Sequence, residues 1–120
     1  MAENIYHTFK QGEIGKILQF TLADENGLFD LTGWTVTFAA SLNGESAFAG
    51  QAVTLNDQLT NPGECYHQLN ATTAAIDPNV RGEIYLGELK AVQGLNVFYW
   101  PVDKDNRRTY FKIEVQAPLS

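Results

Sequence analysis

Cys65 and His67 are the residues of this 120-residue chain best suited to nucleophile–base chemistry, and they stand two positions apart. On a strand, that spacing puts both on one face with side chains about 7 Å apart, too far for a direct hydrogen bond without a bulge. A working pair would also need a third group to poise the imidazole. A buried cysteine beside a half-buried histidine is the simpler reading. The other histidine, His7, lies near the N-terminus.

Carboxylate pairs occur at Asp24-Glu25 and at Asp103/Asp105, both in turn-like sequence. Aspartate is favoured in turns because its side chain bonds nearby backbone amides. Asp103-Lys104-Asp105-Asn106 resembles the start of a calcium loop, but no glycine follows and no glutamate closes it. Arg107 and Arg108 next to it would oppose a cation, so a charged hairpin tip is expected. Gly12 and Gly15 lack the lysine and helix of a phosphate loop. Asn70-Ala71-Thr72 matches a glycosylation acceptor, but nothing at the start of the sequence reads as a secretory signal. No catalytic, cofactor-binding or metal-binding constellation is expected, and the chain is read as no enzyme.

Those residues must be held by strands. Alternation with a period of two dominates, and no amphipathic segment of helix length competes with it. Leu18, Phe20 and Leu22 alternate into the turn Asp24-Glu25-Asn26-Gly27; Trp34, Val36 and Phe38 alternate into Asn43-Gly44. A weaker strand runs from Gln51 to Leu55, and Cys65, His67 and Leu69 alternate after Pro62-Gly63. Residues 70–79 allow one short helical turn before Pro78. Strands are predicted again over Gly82–Lys90 and Arg108–Val115, with the aromatic run Val97-Phe98-Tyr99-Trp100-Pro101 between them. About seven to eight strands at this spacing predict an all-β, immunoglobulin-like antiparallel β-sandwich. It would form one domain over residues 1–120, with its ordered part at about 5–116.

Composition narrows the partners. The apolar share is 44%, the charged share 18% and the formal net charge −6. An acidic chain repels phosphate backbones, so no nucleic acid is expected. The single cysteine excludes an internal disulfide, and the short apolar runs give no reason to expect a membrane.

Aromatic residues remain. Trp34, Phe38, Tyr85 and Phe111 fall where a sandwich core would claim them. Phe98, Tyr99 and Trp100 are consecutive, so on a strand either Tyr99 alone or the Phe98/Trp100 pair faces outward unless a second layer covers it. Exposed aromatic surface marks binding. Phe98, Tyr99, Trp100, Arg107 and Arg108 are therefore the candidate contacts to a partner.

A family pattern runs through these elements. Gly12-x-x-Gly15 precedes a strand and an Asn-Gly hairpin. Phe29-Asp30-Leu31-Thr32-Gly33 then leads into Trp34-Thr35-Val36-Thr37-Phe38. Further on come Gly63 with Tyr66-x-x-Leu69, Gly82-x-x-Tyr85-x-x-Glu88, and Pro101 before Tyr110-Phe111-Lys112-Ile113-Glu114-Val115. Over residues 7 to 116 the sequence resembles the N-terminal domain of upper baseplate proteins of phages that infect Gram-positive bacteria. The matching residues are fold-building. Asp30 and Thr32 can bond a turn backbone, Gly33 can supply a positive φ, and Val36 and Phe38 point inward.

The resemblance implies a virion structural protein, made in a bacterial cytoplasm, that attaches to a tail hub and helps position receptor-binding components. Longer members continue into a helical stalk. This sequence holds no heptad stretch, which fits either a piece ending at a domain boundary or a short member that decorates or seals an assembly. The expected partners are other tail or baseplate proteins, with self-association as a further option. The alternative is a carbohydrate-binding module for cell-wall polysaccharide, in which Tyr99 and Trp100 would form a platform near Asn96 and Asp103.

Overall fold

A computed structural model describes residues 6–24, 26–78, 84–102 and 109–119 of the chain. Among these residues the fold is all-β apart from one 3-10 turn at Thr73–Ala75. The strands are β1 (Tyr6–Lys10), β2 (Ile17–Thr21), β3 (Ala23–Asp24), β4 (Gly27–Leu28), β5 (Thr35–Leu42) and β6 (Glu45–Ala52). They continue with β7 (Thr54–Leu55), β8 (Glu64–Gln68), β9 (Tyr85–Gln93), β10 (Asn96–Trp100) and β11 (Phe111–Gln116).

Two sheets pack face to face. One has the order β1-β11-β9-β5-β6, with β10 also on β9; the other is β2-β8-β7. The short β3–β4 hairpin stands apart from both. All pairings are antiparallel except β1 with β11, which is parallel. β10 pairs with residues 89–93 of β9 and β11 with residues 85–87, so both lie along the same edge of β9. Between them, the Thr109 amide donates to the Pro101 carbonyl (3.0 Å).

Alternation explains the layers. Leu18 and Phe20 of β2, Val36 and Phe38 of β5, Leu89 and Ala91 of β9, and Phe111, Ile113 and Val115 of β11 point into one shared core. Its centre is aromatic: the Phe20 ring lies 5.6 Å from Phe38 and 5.1 Å from Phe111. Trp34, Phe38, Tyr85 and Phe111 all join this core, with Trp34 only partly buried. The chain turns from β5 to β6 at Asn43 (φ 54°) and Gly44 (φ 82°), two successive left-handed residues that give the tight hairpin read from Asn-Gly.

Two strands depart from the sequence reading. β6 begins at Glu45, where only Gln51–Leu55 was expected to be extended, and β1 was not anticipated. The segment Glu45–Ala52 is rich in small residues and shows no apolar alternation. β1 is defined by its pairing to the last strand, which no local pattern reveals.

Candidate functional site

The register of β10 against β9 decides the fate of the aromatic run. Phe98 pairs with Ala91 and Trp100 with Leu89, both inward-facing positions, while Tyr99 pairs with Lys90 on the outer face. Trp100, expected as a partner contact, is instead buried, 6.3 Å from the Phe20 ring and 5.9 Å from Phe111. The second sheet supplies the covering layer. Phe98 is half-buried and Tyr99 half-buried on the opposite face, so the run presents no shared aromatic platform. Arg107 and Arg108, with Asp103–Asn106, lie outside the described residues, as do Glu25, Gly82 and Glu83.

The Cys65/His67 pair is also resolved by burial. Both side chains point into the core from β8. Burial pushes the Cys65 thiol up to about 12, so it is no thiolate at neutral pH. The Ala52 carbonyl accepts from His67 Nδ1 (2.8 Å), which leaves Nε2 to accept from the Thr73 hydroxyl (2.9 Å). Both ring nitrogens are thus committed to tying the end of β6, β8 and the 3-10 turn together. Burial holds the His67 pKa below its ordinary value, partly opposed by the Ala52 contact.

Turn residues behave as their types dictate. Asp30 Oδ1 accepts from the Thr32 amide (2.9 Å) and hydroxyl (2.7 Å), and these bonds hold its carboxyl below the usual range. Gly33 follows with φ 82°. Asn70 Oδ1 accepts from the amides of Thr72 and Thr73 (2.8 Å each), and its amide donates to Gln51 (3.0 Å). The glycosylation-like triplet is a turn cap.

What the strand registers bring together is one end of the sandwich. Segment 22–34 leaves β2 where segment 57–63 enters β8, because Thr21 pairs with Glu64. The Leu22 amide donates to Gly63 O (2.8 Å) and the Leu31 amide to Gln58 Oε1 (2.9 Å), locking the two loops together. Thr35 pairs with Val92, which brings the β9–β10 turn to the same end. Phe29 of the first loop packs on Phe98 of β10 (4.6 Å) and on Trp34 (5.1 Å), a half-buried aromatic floor beneath the loops.

Each of the three loops carries a leucine in solvent: Leu28 is 57% exposed, Leu59 95% and Leu95 fully, with Val97 at 49% beside the last. No apolar alternation of the predicted strands marks these leucines in the sequence. The available signal was a lone leucine inside a turn, as in Gly27-Leu28, Asp57-Gln58-Leu59 and Gly94-Leu95. Comparison of the chain with models of protein families and with curated proteins finds no match.

Proposed function

We propose that the chain is a non-catalytic docking module, and that its place is in a phage tail or baseplate, attached to a hub protein. The docking part of this reading rests on one observation. Four large apolar side chains stand in solvent on three segments that meet at one end of the sandwich, two of them hydrogen-bonded to each other. Leucines on rigid turns lose little entropy when a partner covers them, and apolar area left in water marks a place of contact.

The long edge strand β6 offers less. β6, at one edge of the larger sheet, is broken by two register shifts against β5, and bulges of this kind discourage strand addition. The phage part of the reading rests on the motif order described above, from Phe29-Asp30-Leu31-Thr32-Gly33 to the closing strand. An immunoglobulin-like topology is part of the same proposal. It is supported by the strand order and by the buried Tyr85 at the start of β9, whose hydroxyl bonds an upstream carbonyl.

The test is to immobilise the chain, pass lysate of phage-induced bacteria over it, and identify the retained proteins by mass spectrometry. Stoichiometric retention of a tail-hub or baseplate protein supports the reading. Retention of cell-wall polysaccharide with no virion protein overturns it in favour of sugar binding.

A further inference from the structure

We propose that the three-loop end docks against an apolar protein surface rimmed by lysine or arginine. This rests on the docking reading and names the partner's chemistry. Among the described residues, segments 22–34, 57–63 and 93–97 contain Asp24, Asp30 and Asp57 and no Lys, Arg or His. The exposed leucines therefore sit within a rim of one sign.

The rim is fixed in place. Asp24 Oδ1 accepts from the Asn26 amide (2.8 Å), Asp30 Oδ1 from Thr32, and Asp57 Oδ1 from the Leu59 amide (3.1 Å). Each aspartate is held by the turn that presents a leucine or lies two residues from one. Charge and apolar surface are thus displayed together on backbone that is already ordered. Preorganised display of this sort reduces what binding must spend on ordering loops.

The sign of the rim selects the occupant. A second copy would bring two acidic ends together and repel itself. Anionic lipid headgroups and nucleic-acid phosphates would be repelled for the same reason. A protein surface with an apolar centre and a basic rim satisfies both parts of the pattern, the leucines by burial and the carboxylates by complementary charge.

The experiment follows backbone amide shifts of the labelled chain by NMR. Two synthetic amphipathic peptides of equal length are added in turn, one of leucine and lysine, the other of leucine and glutamate. The expected result is movement of amides in segments 26–34, 57–63 and 93–97 with the lysine peptide and not with the glutamate peptide. The affinity should fall about fivefold or more between low and 0.5 M salt, because exposed charges are screened. The variant L28S/L59S/L95S should bind roughly tenfold more weakly while melting as the parent does, since exposed leucines contribute little to the fold. The variant D30N/D57N keeps the turn acceptors and should flatten the salt dependence.

Equal binding of both peptides would overturn the charge argument. Shifts confined to the outer face of the larger sheet, or to the β2 edge, would overturn the choice of surface and leave the docking reading standing. Absence of shifts with either peptide would overturn the inference, while retention of a hub protein from lysate judges the docking reading independently. Dimerisation through these loops would likewise overturn it.

Discussion

The hydroxyl of Tyr85, in the first position of β9, donates to the carbonyl of Asp77 at 3.0 Å. The ring is buried, and burial together with the Asp77 carboxylate raises the phenol pKa, so the group stays a donor at any physiological pH. The bond ties the central strand of the larger sheet to the segment that follows the 3-10 turn. Tyr85→Phe keeps the packing and loses only this bond. It should cost about 0.5–1.5 kcal/mol, the net worth of one intramolecular hydrogen bond, because Asp77 is exposed and water can reach its carbonyl. Urea denaturation of the two proteins checks this.

Trp100 and Leu95 lie five residues apart and should respond in opposite ways. Trp100→Ala empties a place between Phe20 and Phe111 and should cost about 3–5 kcal/mol, the range for deleting a buried aromatic. Leu95→Ser touches nothing in the fold and should shift stability by less than about 0.5 kcal/mol. Thermal melts distinguish the pair: a contact role for Trp100 would leave its variant as stable as the parent.

Acid should weaken the fold. Burial lowers the pKa of both histidines, and at His7 the nearby Lys16 ammonium adds to the effect. A group that binds its proton less readily when folded favours the unfolded state once the pH drops below its unfolded value, about 6.5 for histidine. Stability should therefore be full above that pH and decline as the pH falls toward the folded values. The limiting slope is about 1.4 kcal/mol per pH unit for each histidine. His7 packs edge-on against Phe20 (5.0 Å) and Phe111 (5.7 Å), and its buried Nε2 has no hydrogen-bond partner among the described residues. His7→Phe should thus reduce the pH dependence without destabilising the protein at pH 7.5, as urea midpoints at pH 7.5 and 5.5 would show.

Two glycines are fixed by closeness. A β-carbon on Gly63, where φ is +84°, would lie 2.4 Å from the Leu22 carbonyl oxygen, which cannot retreat without breaking the loop pairing. On Gly87 it would meet Phe111 Cε1 at 2.4 Å and Ile113 Cδ1 at 3.0 Å, both in the core. Each glycine-to-alanine change should cost about 2 kcal/mol or more, from overpacking and, at Gly63, backbone strain as well. Gly12→Ala has open space around its β-carbon and should cost less, which equilibrium unfolding of the three variants would reveal.

Much of this was legible from local pattern. The alternation of Leu18-Phe20-Leu22 and of Trp34-Val36-Phe38 marks two core strands, and Asn43-Gly44 marks the hairpin between β5 and β6. Asp30-x-Thr32-Gly33 announces the turn it makes. Non-local features were not legible. Whether Phe98 and Trp100 or Tyr99 faces inward depends on the register of β10 against β9, and β1 exists through its parallel pairing with β11. The leucine tips escaped because exposure at a turn depends on how three distant loops meet.

The central claim is that the three-loop end is where the chain docks. It is tested most directly by hydrogen–deuterium exchange of the chain alone and in complex with the protein it captures. Slowed exchange confined to residues 26–34, 57–63 and 93–97 is the predicted result. Unchanged exchange there, with protection along β2 or across the outer face of the larger sheet, would contradict it.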